Sequence, residues 1–195
     1  MSPLDLARAL AVLLTLGGCT EDRGARHAPA ASATGSAPGA TGMPQDTAVP
    51  FQAPTTAVDR PRPRGSPGVL RQVSAEAHRG YDRVVFEFSG DSIPGYHVEY
   101  ADRPARECGS GQVVRVSSPG RMLVRFDPAQ AHDESGNPTA VERARALTLP
   151  AVKQLTLICD FEGQVEWVLG LAAPSRYRVL EMTGPPRLAV DVATP

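Results

Sequence analysis

Residues able to do chemistry are few in this chain and stand far apart. Its four histidines occupy positions 27, 78, 97 and 132, and none falls in an H-E-x-x-H or related spacing that would bring two imidazoles to one side of a helix for a metal ion. They read as surface or capping histidines. Ser110 sits in Cys108-Gly-Ser-Gly111, which is not the G-x-S-x-G turn that presents a serine nucleophile between strand and helix. Asp133-Glu-Ser-Gly-Asn137 offers oxygen atoms without the ligand spacing and closing glutamate of a calcium loop, and reads as a polar turn. An active site needs clustered titratable groups. The sequence supplies none, so it predicts a protein that is not an enzyme and holds no cofactor or metal.

Four residues remain as candidates for ligand contact. Arg187 and Asp191 lie in Pro186-Arg-Leu-Ala-Val-Asp-Val192, where alternation sends Leu188, Val190 and Val192 inward and Arg187, Ala189 and Asp191 outward. At ~3.3 Å per residue the two charges stand roughly 13 Å apart along one strand. Each therefore needs a ligand or a cross-strand partner, the latter fixing the register. His97 and Glu99 face outward in Tyr96-His-Val-Glu-Tyr100 by the same rule. Tyr96, Tyr100, Trp167 and Tyr177 could line a sugar-stacking surface, but alternation turns the first three inward, where they serve as core.

The segments that position these residues have a period of two, the mark of half-buried strands. Val69–His78, Asp82–Phe88, Tyr96–Tyr100, Gln112–Val116, Arg121–Phe126, Leu155–Phe161, Val165–Leu169 and the closing strand through Val192 all fit it. Gln112–Val116 and Arg121–Phe126 read as a hairpin around Ser117–Gly120. Glu162-Gly163 turns between Leu155–Phe161 and the strand that follows, placing Leu155, Leu157, Cys159 and Phe161 on one inner face. Val141–Leu147 reads as a short helical turn. Eight or nine short strands without a βαβ pattern predict an all-β, two-sheet antiparallel sandwich, and about 125 residues suffice for its core.

Upstream of residue 68 the chain changes character. Residues 4–18 are apolar but too short to span a bilayer, which takes about 20 residues, and fit the core of a signal peptide that comprises residues 1–18. Leu16-Gly17-Gly18-Cys19 resembles a bacterial lipobox. The resemblance implies lipid on Cys19, with two or more acyl chains and hence stable anchoring; Thr20 at the next position resembles lipoproteins sent to the outer membrane in diderms. Residues 19–67, rich in Ala, Gly, Pro, Ser and Thr, cannot bury enough apolar surface to offset ordering entropy and predict a disordered linker with a reach of roughly 35–40 Å. Arg60-Pro-Arg-Pro-Arg64 is a small basic cluster within it, a solvated run or a contact for anionic polymer. If Cys19 carries lipid, Cys108 and Cys159 remain as a pair. In an oxidising compartment the pair predicts a disulfide, worth about 4 kcal/mol on the chain-entropy model.

With 20 Lys+Arg against 21 Asp+Glu, a net charge of −1 and 5% aromatics, the chain lacks the basic, base-stacking surface of a nucleic-acid binder. Arg83-Val-Val-Phe-Glu-Phe-Ser89, Gly95-Tyr-His-Val-Glu-Tyr100, Asp160-Phe-Glu-Gly-Gln-Val-Glu-Trp-Val-Leu-Gly170 and Pro186-Arg-Leu-Ala-Val-Asp191 resemble the AMIN-like domain of bacterial lipoproteins, a relative of the AMIN domain. The resemblance covers the proposed domain at 68–193. It implies a β-sandwich and a targeting role, since AMIN domains bind peptidoglycan in cell-wall amidases and secretins; a catalytic domain like that of the amidases is not expected here. The resulting expectation is a lipid-anchored envelope protein that binds peptidoglycan or an envelope protein partner. The alternative is a small-ligand carrier or sensor with its ligand between the sheets.

Overall fold

β-branched and aromatic residues at every second position leave the chain little choice but strands, and its described part contains no helix. The computed structural model describes residues 49–62 and 67–195; the signal segment 1–18, Cys19 and residues 20–48 and 63–66 of the expected linker lie outside them. In chain order the strands are β1 Val58–Arg60, β2 Gly68–His78, β3 Tyr81–Phe88, β4 Tyr96–Tyr100, β5 Gly120–Phe126, β6 Ala129–Gln130, β7 Ala144–Ala146, β8 Val152–Phe161, β9 Gln164–Leu171, β10 Tyr177–Met182 and β11 Arg187–Ala193. They form a six-stranded sheet, β1-β4-β5-β9-β8-β7, and a five-stranded sheet, β10-β11-β3-β2-β6. The two pack as a sandwich. Among the described strands only the two-residue contact of β2 with β6 is parallel.

The inner faces carry the alternating apolar residues. Val84, Phe86 and Phe88 of β3 and Leu188, Val190 and Val192 of β11 meet Val98, Val124, Phe126 and Trp167 from the other sheet. Phe126 packs against Phe86 at 5.1 Å and Phe88 at 4.8 Å between ring centroids, and Phe86 meets Trp167 edge-on at 6.2 Å. Tilted and edge-to-face contacts of this kind suit the ring quadrupoles. They fill the middle of the interface, where a carrier would need a cavity. Asp82 ties the sheets together at one end: its Oδ2 accepts from the backbone N–H groups of Ala151 (2.6 Å) and Val152 (2.9 Å).

Three local expectations are corrected. Gln112–Val116 has strand-like alternation but forms no strand beyond a single bridge between Val113 and Arg106. Both hydrogen-bonding edges of β5 are already taken, by β4 and β9, so no ladder is open to it. Ala144–Ala146 is an edge strand on β8 instead of a helical turn, because an open edge outweighs a weak helical propensity. In β8 a bulge between Leu157 and Cys159 resets the alternation. Leu157 pairs with the inward Trp167, while Cys159 pairs with the outward Glu166. A one-residue slip exchanges the two faces, so Cys159 leaves the main core and Phe161, expected inward, is 57% exposed.

Segment 49–62, read from its composition as linker, is built into the sandwich. Gln52 exchanges backbone hydrogen bonds with Tyr177, β1 pairs with β4, and the Tyr177 hydroxyl lies 2.5 Å from the Thr56 carbonyl. Burial pushes that phenol up to about 12. Arg62, from the basic cluster, donates from Nη2 to both carboxylate oxygens of Glu181, at 2.9 and 2.8 Å. The segment thus joins β10, an edge of one sheet, to β4 of the other.

Candidate functional site

The closing strand, where Arg187 and Asp191 were expected outward, presents less than its alternation promises. Asp191 does point away from the interface between the sheets, but it is 0% exposed. Register places it directly between Arg83 of β3 and Arg178 of β10. Its Oδ1 accepts from Arg83 Nε at 2.7 Å, and its Oδ2 from Arg83 Nη2 and Arg178 Nε, each at 2.8 Å. Phe51 covers the Arg178 guanidinium at 4.6 Å and Tyr81 lies 5.1 Å from it. Segment 49–62 therefore closes over this end of the sheet and puts Asp191 out of reach of a partner. Arg187 is half-buried opposite Glu87 and Met182, and its Nε finds no hydrogen-bond partner among the described residues.

The outer face of the six-stranded sheet is different. Across it run Asp59 of β1, His97 of β4, Arg125 of β5 and Glu166 of β9, placed side by side by the strand registers. His97 Nδ1 lies 3.1 Å from Asp59 and its Nε2 lies 3.4 Å from Glu99. Over the neighbouring part of this face folds the loop of residues 101–119. Its Ala105, Val114 and Val116 pack on Ile158, Val168 and Leu123 in a second apolar cluster, and the Cys108–Cys159 disulfide fastens it to β8. Gly170 of β9 allows the close approach: a Cβ there would stand 3.0 Å from Val116 Cγ1 and from Ser118 Oγ.

Between loop and sheet lies a groove of ≈ 660 Å³, bounded by Glu99, Glu166, Arg103, Arg106, Leu123 and Ile158 among others. A smaller cleft of ≈ 290 Å³ on the other side of His97 is lined by Asp59, Arg125 and Tyr96. Burial raises the pKa of the Glu166 carboxyl, opposed by Arg125, reinforced by Glu99 and opposed by His97. Its hydrogen bond from the Gln164 side chain is long, at 3.2 Å, and it forms no ion pair among the described residues. A carboxylate withdrawn from water with so little compensation is disposed to meet a cation.

His78, His132, Ser110 and Asp133 are used within the fold. His78 stacks on Tyr81 at 4.8 Å. His132 Nδ1 lies 2.9 Å from Asp160, whose other oxygen takes Arg143. The Ser110 hydroxyl donates to Glu107. Asp133 Oδ1 accepts from the backbone N–H of Ser135 and of Asn137, and its Oδ2 from the Asn137 side chain. Those bonds lower its pKa. Among the described residues no group of three or more His, Cys, Asp or Glu could hold a metal ion. Tyr96, Tyr100, Trp167 and Tyr177 all belong to, or pack on, the main core.

Sequence reasoning had His97 and Glu99 on the outer face but missed Glu166, Arg103 and the groove itself. The alternation of β9 could have placed Glu166 outward beside Val165 and Trp167; nothing in the sequence signals how an irregular loop drapes over a sheet. A sequence model of the AMIN-like domain matches residues 68–194. None of the curated proteins compared with the chain matches it.

Proposed function

The chain belongs to the AMIN-like domain family, and from that premise we propose that it is a non-catalytic, lipid-anchored protein of the cell envelope whose sandwich binds peptidoglycan. AMIN domains occur in periplasmic and envelope proteins, and the Cys108–Cys159 bridge fits an oxidising compartment. Lipid on Cys19 would supply the anchor and residues 20–48 the tether. The observation that carries the reading is the groove on the outer face of the six-stranded sheet, a cleft with an apolar floor and charged walls. The buried Asp191 with its two arginines is assigned instead to holding β3, β11 and β10 in register.

Cosedimentation tests it. The full chain, purified in mild detergent, is expected to pellet with isolated peptidoglycan and to lose that retention when Glu99 and Glu166 are both replaced by Gln. A chain that stays in the supernatant but is captured by a defined envelope protein would shift the reading to a protein partner. One that binds neither overturns it.

A further inference from the structure

Peptidoglycan offers two chemistries, a glycan and a peptide, and the groove discriminates between them. A sugar ring is commonly held by stacking on an open aromatic face. The one aromatic residue of the lining, Tyr100, has its hydroxyl bonded to the Ser175 carbonyl at 2.8 Å and its ring edge-on to Tyr177, so it is turned into the core. What the groove presents is charge arranged around an apolar floor. Glu99 of β4 and Glu166 of β9 stand on the sheet side, on either side of β5, with Glu166 drawn out of water and short of partners. On the loop side stands Arg103, exposed and without an ion-pair partner among the described residues, and Arg106, which commits one N–H to the Gly111 carbonyl at 2.8 Å. Leu123 and Ile158 lie between. Its volume, ≈ 660 Å³, falls within the range of clefts that enclose small ligands, about 300–1,000 Å³.

Resting on the wall-binding reading, we infer that the groove takes the peptide stem of the wall polymer and not its glycan, with Glu99 and Glu166 receiving a free ammonium group and Arg103 a carboxylate. The aliphatic part of such a stem lies on Leu123 and Ile158, and its charged ends complement the two walls. The site is assembled by the disulfide, because Arg103 and Arg106 belong to the loop that Cys108 fastens to Cys159.

The test uses the full chain and three preparations of isolated wall: native peptidoglycan, the same material with its amines N-acetylated, and glycan strands freed of peptide by an amidase. Hydrogen bonds to charged groups contribute about 1.5–3 kcal/mol, so acetylation is expected to weaken binding at least about tenfold, and free glycan is expected not to bind. The Glu99→Gln/Glu166→Gln variant should bind native material as weakly as the unaltered chain binds acetylated material, and should lose little more on acetylation. Its fold is checked by the fluorescence of the buried Trp167. Arg103→Glu, on an exposed loop position, gives a second weakened variant independent of the sheet. Equal binding to native and acetylated wall, or binding to bare glycan, overturns this inference while leaving the wall-binding reading intact. Binding to none of the three overturns both.

Discussion

Replacing Asp191 by Ala is the sharpest perturbation of the frame that carries the site. The carboxylate is shared by two guanidiniums through three hydrogen bonds of 2.7–2.8 Å, and the side chains of Asp191, Arg83 and Arg178 are 0%, 7% and 8% exposed. Water therefore cannot take its place. Adding three charge-assisted bonds separately would overcount, since they converge on one acceptor group; the relevant figure is the cost of leaving a buried charge uncompensated, about 3–5 kcal/mol. Arg178 keeps the rings of Phe51 and Tyr81 after the substitution, which favours the lower end. Against a net stability of about 5–15 kcal/mol for an ordinary domain, that loss is large. Denaturant unfolding followed by Trp167 measures it: the residue is the only tryptophan and is 1% exposed in the core. The triple variant Arg83→Met/Asp191→Leu/Arg178→Met should recover most or all of the stability, because a buried ion cluster can be replaced by well-packed apolar residues at little cost. A loss below about 1 kcal/mol for Asp191→Ala would contradict this burial penalty, as would a triple variant no more stable than the single one.

Further perturbations probe the loop, the groove and one turn. Cys108→Ser/Cys159→Ser opens a 51-residue loop and should cost about 4 kcal/mol on the chain-entropy model, measurable as a lowered denaturation midpoint that reductant reproduces in the unaltered chain; no shift would mean that the apolar packing of the loop suffices alone. For Glu166, burial raises the folded-state pKa, so the folded state holds a proton that the unfolded chain has released. Its contribution to stability is present below the ordinary carboxylate range and is lost as pH rises through the raised value. Stability curves of Glu166→Gln and the unaltered chain should accordingly diverge in favour of the variant over that interval; divergence in the other direction would contradict the burial. Glu162 holds a positive φ of 50° in the two-residue turn before Gly163, a conformation that Asn adopts more readily. Glu162→Asn is expected to raise stability by roughly 0.5–1 kcal/mol, read as a higher denaturation midpoint.

What the sequence disclosed followed from local alternation. Tyr96–Tyr100 is a strand with the boundaries its pattern implies, and Glu162-Gly163 makes the expected turn; the Cys108–Cys159 bond followed instead from the cysteine count and the compartment. Where the local pattern was interrupted, reading it forward failed. The bulge after Leu157 moved Cys159 and Phe161 to the other face, and no residue type there announces an inserted position. Asp191 was correctly directed away from the interface between the sheets, yet its burial depends on Phe51 and Val49, residues more than a hundred positions away in a segment whose composition resembles linker. Glu166 and Arg103 become neighbours of one groove only through the fold of loop 101–119, which has no periodicity to read.

We propose that the wall polymer is contacted by the outer face of the six-stranded sheet, under the disulfide-fastened loop. Backbone amide chemical shifts of the full chain, recorded in mild detergent with and without soluble peptidoglycan fragments, test it residue by residue. Perturbations are expected to concentrate at 99–106, Leu123, Ile158 and Glu166 and to be abolished by Glu99→Gln/Glu166→Gln. Perturbations centred on β10 and β11 around Arg187, or none at saturating fragment, would contradict it.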